Sequence, residues 1–167
     1  MLACKQRHMP SPTSNLRLEI ADLERLIARF RPPQLGSFRL ARDEKRLLLH
    51  LDELQLPTPL LPAIQATFEV KAALVKGKRN VVAVHVVADK LPLGLQALAN
   101  PFLDKVVEKI LPPEAAAFVE IRSPVLFWVH LERIPDHGRR LAETLTLTGL
   151  TVPGREGALE ASFALRA

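Results

Sequence analysis

The feature that most constrains this chain is a segment that occurs twice. Residues 31–54, RPPQLGSFRLARDEKRLLLHLDEL, return as residues 111–134, LPPEAAAFVEIRSPVLFWVHLERI, at a constant offset of 80. Aligned without a gap, the copies match at Pro32/Pro112, Pro33/Pro113, Phe38/Phe118, Arg42/Arg122, His50/His130 and Leu51/Leu131. Leu49 lies over Val129 and Asp52 over Glu132, and upstream Leu23, Leu26, Ile27 and Phe30 fall on Leu103, Val106, Val107 and Ile110. Apolar spacing, a double proline and a strand-like alternation all agree in one register, which marks one unit used twice. The first repeat covers about 16–90 and the second about 91–167, after a loose polar tail at 1–15. The chain as given leaves Met1 or Met9 open as its start.

The period of the apolar residues says what each unit is made of. Leu16, Leu18 and Ile20 alternate with charged residues, as in a half-buried strand. From Ala21 the spacing changes: Leu23, Leu26, Ile27 and Phe30 recur at helical intervals, Asp22 suits the positive end of the helix dipole, and Pro32-Pro33 stop the helix. Asn100-Pro101 opens the corresponding helix of the second unit, and Pro112-Pro113 stop it. Four strands are predicted after each helix. In the first unit they are Phe38 to Arg42, Arg46 to Leu54, Ala66 to Leu74 and Val82 to Ala88, the last two joined by the turn Lys76-Gly77-Lys78. In the second they are Phe118 to Ile121, Val125 to Glu132, Thr144 to Leu150 and Ala158 to Leu165, with a turn at Pro153-Gly154-Arg155. The loop between the second and third strands is where the copies diverge. The predicted fold is therefore α+β: two helix-plus-four-strand units forming two twisted antiparallel sheets, each wrapped on its own helix, related by a pseudo-twofold axis.

Composition narrows the function classes. A chain of 167 residues buries roughly two-thirds of its unfolded surface and needs no disulfide or metal for stability. Cys4 is the single cysteine, so no intrachain disulfide forms. The longest apolar run, Val81 to Ala88, is broken by His85 and falls far short of the ~20 residues of a membrane span. We expect a cytoplasmic protein, with peripheral membrane association left open. The net charge of +5 is spread among acids and permits attraction to anionic lipid without requiring it.

No catalytic signature is present: there is no GxSxG, HExxH, GxGxxG or Walker spacing. His50 and His130 share a strand face with Asp52 and Glu132, an arrangement of metal-ligand type, but duplicated positions about a twofold need not converge, so exposed surface is the expectation and no metal or other cofactor is predicted. Lys76, Lys78, Arg79 and Arg155 gather positive charge at two related hairpin tips and are candidates for holding an anionic head group. Without tyrosine, and with phenylalanines at core spacing, the stacking platform of a nucleic-acid binder is missing, so nucleic acid is disfavoured. Trp128 and its counterpart Leu48 fall opposite the core face, which points to a covered seam, a membrane-facing patch or a homodimer contact.

The strand and helix of LEIADLERLIARF, then FRLARDEKRLLLHLDEL and two longer amphipathic strands around KGKRN, resemble the repeating unit of bacterial proteins in the tubular lipid-binding (TULIP) superfamily. The likeness is best over Leu16 to Asp89. It implies a curved sheet wrapped on a helix, an apolar groove for lipid chains and no cofactor. The expected function is non-enzymatic binding of a hydrophobic or lipid-like ligand, with Phe68, Val82, Val84, Val86, Phe127 and Phe163 lining the groove. The alternative is a homodimeric interaction scaffold with a filled core.

Overall fold

Strand pairing in the computed structural model cuts across the two repeats. The structure describes residues 13–29, 36–54, 64–90, 113–123, 125–135, 138–155 and 157–166. In chain order these form β1 (Thr13–Leu18), α1 (Ile20–Arg29), β2 (Phe38–Asp43), β3 (Arg46–Leu54), β4 (Ile64–Leu74), β5 (Val81–Lys90) and the short α2 (Pro113–Ala116). There follow β6 (Val119–Ser123), β7 (Leu126–His130), a 3-10 turn (Leu131–Arg133), α3 (Gly138–Thr144), β8 (Leu145–Thr151) and β9 (Leu159–Leu165). One antiparallel sheet has the order β2-β3-β4-β5-β7-β6, and the other β1-β9-β8.

The expected α+β architecture is thereby overturned. Strands take 58% of the described residues and helical turns 21%, and neither sheet is wrapped on a helix of its own. The second unit is divided: its hairpin β6-β7 extends the first unit's sheet through β5, while β8 and β9 pair with β1. The pseudo-twofold fails in register too. Ala41 faces Leu48 in the first hairpin, whereas Ile121, the counterpart of Ala41, faces Phe127, the counterpart of Leu47. That slip of one residue puts β2 and β6 on opposite face assignments, since side chains alternate with period two. Residues 13–15, read as tail, belong to β1. Pro113, read as a helix stop, opens α2, where its missing N–H costs nothing. The second helix predicted near 101–110 lies outside the described residues.

Individual strands follow their alternation closely. Cross-strand partners share a face, so the register places Leu47, Leu49, Leu51, Phe68, Val70, Val82, Val84, Val86, Phe127 and Val129 together on one side of the larger sheet. The smaller sheet lies across that side. At one end Leu147, Ala161, Leu150 and Phe163 pack with Val82, Ala72, Leu74 and Val129; at the other, Ala158 packs with Leu40 and Leu47, beside Val152, Ile20 and Leu23. The β8-β9 hairpin thus spans the larger sheet from its β7 side to its β2 side. Full burial of a Leu or Val side chain stabilises by ~1.5–3 kcal/mol, so sheet-on-sheet contact is the main source of cohesion. Helix α1 has no buried residue, and its Leu26 and Ile27 stay exposed. Its role is at the rim: Glu24 Oε1 accepts a hydrogen bond from the Leu40 N–H at 2.7 Å, occupying a backbone donor of the edge strand β2.

Asn80, at the end of the β4-β5 turn, ties the sheets together. It is buried with φ of 54°, a left-handed conformation that Asn tolerates better than most residues. Its Oδ1 accepts from the Leu147 N–H at 2.8 Å and its Nδ2 donates to the Leu145 carbonyl at 3.3 Å. Its own carbonyl accepts from the Leu131 N–H at 3.0 Å. One turn residue therefore fixes the start of β8 and the end of β7.

Candidate functional site

Where β8 leaves α3, the two sheets and the helix do not close completely. A cavity of about 210 Å3 opens there, lined by Leu131, Ile134, Gly138, Ala142, Leu145, Phe163 and Asn80. Local structure explains the lining. The 3-10 turn follows directly on β7 and directs Leu131 and Ile134 to one wall. Gly138 then begins α3 against the turn, its N–H bonded to the Ile134 carbonyl at 3.1 Å. A Cβ there would run into the Leu131 carbonyl oxygen and stand 2.8 Å from Ile134 Cβ, so only glycine allows the approach. Ala142, one helical turn on, supplies a small floor, and Leu145 and Phe163 close the sheet side. Asn80 is the one side chain with a polar group in this lining, and both ends of its amide are already bonded to β8.

Of the groove residues expected from sequence, Phe163 alone lines this cavity. Phe68 and Val82 are buried, and Val84 packs with Val82 in the core between the sheets. Val86 and Phe127 are half-buried farther along the same face. Lys76, Lys78 and Arg79 are exposed on the turn that leads into Asn80, the residue of that turn that lines the cavity. Arg155 lies apart, in the loop at the far end of the β8-β9 hairpin, where its carbonyl accepts from Arg42 Nη1 at 3.0 Å. The four basic residues therefore do not form one head-group site. Sequence reading missed the cavity because α3 was not anticipated. Its trace is the Arg139–Glu143 pair at helical spacing, 3.8 Å apart, in the segment where the repeats diverge.

Leu48 and Trp128 do lie on the outer face of the larger sheet, but not as one exposed patch. Leu48 is 8% exposed and buried within the monomer. Trp128 is half-buried and capped by the Arg122 guanidinium, 4.4 Å from its ring centroid. Arg122 Nη1 in turn donates to Glu120 Oε1 at 2.7 Å, and the other Glu120 oxygen lies 3.1 Å from His130 Nε2. His130, expected to be exposed, is buried at 8%. His50 is half-buried, with Nδ1 3.0 Å from Thr67 Oγ1. Strands β4 and β5 separate the two histidines, and each has its own partner.

The Arg122 hydrogen bond, and after it that from His130, hold the Glu120 carboxyl below its ordinary pKa of 4.5. A depressed folded-state pKa stabilises the fold above the ordinary value, and that contribution is lost as pH falls through the lower folded value. In thermal unfolding, Glu120→Gln should melt below the parent at neutral pH, the gap closing as pH falls below the ordinary carboxyl value of 4.5. A gap independent of pH would contradict this account of the network.

Comparisons with protein-family models, curated proteins and solved structures returned no match for this chain. Among the described residues, no helix is long and apolar enough to cross a membrane.

Proposed function

We propose that the chain is a non-enzymatic binding protein for a short apolar ligand with an anionic end, seated in the cavity between α3 and the two sheets. The observation that carries this reading is the cavity itself: about 210 Å3 lined by Leu131, Ile134, Ala142, Leu145 and Phe163, with the one polar side chain already satisfied. Apolar cavities of ~150 Å3 stay dry and take a benzene-sized molecule. This one suits a single ring or a short acyl segment and is too small for a whole lipid. The TULIP-like pattern of the first repeat agrees in ligand class.

Magnitudes set the expected affinity. Burying ~200 Å2 of apolar ligand surface gains ~5 kcal/mol, and association costs are of similar size. The tail alone therefore binds weakly, and a carboxylate or phosphate reaching Lys76, Lys78 or Arg79 supplies the remainder. A fluorescent medium-chain fatty acid should bind saturably and be displaced by octanoate. Ala142→Phe, which fills the cavity from its floor, should weaken binding at least ~10-fold, about 1.4 kcal/mol, in a protein that still unfolds cooperatively. Equal binding by the folded variant would refute the site.

A homodimer is the second reading, and β1 is what favours it. This strand is the edge of the smaller sheet, is exposed over almost its whole length, and leaves Leu16 46% exposed. An edge of this kind pairs readily with another chain. Sedimentation separates the readings: concentration-dependent dimerisation abolished by Leu16→Lys, without ligand binding, favours the scaffold.

A further inference from the structure

We propose that the outer face of the larger sheet carries an anion site, built from the cross-strand row Arg39–His50–Thr67–Lys90, that takes a soluble phosphate monoester bearing hydroxyl groups. The row follows from strand register. Arg39 faces His50, His50 faces Thr67, and Thr67 faces Lys90, so four neighbouring strands present one residue each to one line on one face. These residues, with Asp52 and Gln65, line an open cleft of about 400 Å3 on the opposite side of the sheet from the core.

Lys90 reaches that line through an irregularity in β5. Along this strand Val82, Val84, Val86 and Ala88 face the core, and simple alternation would send Lys90 the same way. The register shifts between Thr67 and Phe68, leaving Asp89 as an extra residue and bringing Lys90 opposite Thr67 on the outer face. Bulges commonly re-aim a side chain in this manner. The bulge moves a cation off the apolar face and into the row that already holds Arg39 and His50.

The chemistry of the row suits a phosphate. Its two cations stand at the ends, three strand spacings of ~4.8 Å apart at the backbone, so they flank the central pair. Neither forms an ion pair with a described residue. His50 Nδ1 lies 3.0 Å from Thr67 Oγ1, and in the tautomer in which the hydroxyl donates, the ring proton is on Nε2, a donor for a bound oxygen. Arg39 supplies a planar fork and Lys90 a point charge, both established modes of phosphate recognition. Asp52 would repel an anion placed directly against it. Its Oδ2 accepts from Ser37 Oγ at 3.0 Å, and its free lone pairs, beside Gln65, fit a ligand hydroxyl. The phosphate therefore belongs over His50 and the hydroxyl toward Asp52.

The test is an NMR titration following the His50 ring resonances with inorganic phosphate, glycerol 3-phosphate and sodium chloride at matched ionic strength. Both phosphates should give saturable shifts, with glycerol 3-phosphate at least ~3-fold tighter, and chloride none. The double variant Arg39→Gln, Lys90→Gln should lose at least ~10-fold in affinity at an unchanged melting temperature, because both side chains sit at the surface. No saturable shift, an equal response to chloride, or undiminished binding by the double variant would overturn the site. Binding of phosphatidate vesicles without binding of glycerol 3-phosphate would overturn the soluble ligand and assign the phosphate to a lipid.

Discussion

Alanine at position 80 should destabilise the fold by about 3–5 kcal/mol, a large share of the ~5–15 kcal/mol typical of a domain. Two losses add. The Leu147 N–H and the Leu145 carbonyl both lose their partner in Asn80, and a buried polar group left unpaired costs ~1–3 kcal/mol. The backbone at 80 is left-handed, with φ of 54°, which costs a residue such as alanine ~1–2 kcal/mol. Glycine separates the two effects: Asn80→Gly keeps the backbone and loses the bonds, so it should be about 1 kcal/mol less damaging than alanine. Urea unfolding measures both variants. A change below about 1 kcal/mol for alanine would mean that β8 is held to the β4-β5 turn by packing alone.

Gly138→Ala should cost about 3 kcal/mol and abolish binding in the cavity. The new Cβ meets the Leu131 carbonyl oxygen, which belongs to backbone and cannot rotate aside, and stands 2.8 Å from Ile134 Cβ. Either α3 or the 3-10 turn must shift, and overpacking of this kind costs ~1–3 kcal/mol, occasionally more. Both segments wall the cavity, so the shift changes its shape. Gly77→Ala offers a contrast. With φ of 76° but nothing within 4 Å of an added Cβ, it bears only the backbone penalty of ~1–2 kcal/mol. Similar losses at the two glycines would show that the contact with Leu131 carries no strain.

Strand positions and their core faces were legible because alternation is a local property. The alternation delimits Arg46–Leu54 at its full length, and the apolar residues of β3, β4, β5 and β7 expected in the core fall on one face. Which strand lies beside which was not legible. The pairing of β5 with β7 and of β1 with β9 joins residues far apart in sequence, and a period of two carries no information about the neighbour. The duplication invited a symmetric answer, but α1 buries no side chain, so nothing obliges a sheet to wrap it. The cavity was missed for a related reason. It depends on α3, whose sequence GRRLAET spans only 7 residues and opens on glycine, a poor helix former. Asn80 carries no local signal of its role, because its bonds to β8 cross 65 and 67 positions.

The central claim, a short apolar ligand in the cavity beside α3, is tested most directly by following labelled side-chain methyl groups of Leu131, Ile134, Ala142 and Leu145 by NMR during titration with octanoate. The account predicts saturable shifts at those four residues, with Leu26 and Ile27 on the exposed α1 rim unmoved. Shifts at the rim with none at Ile134 and Ala142, or no saturable response at all, would contradict it.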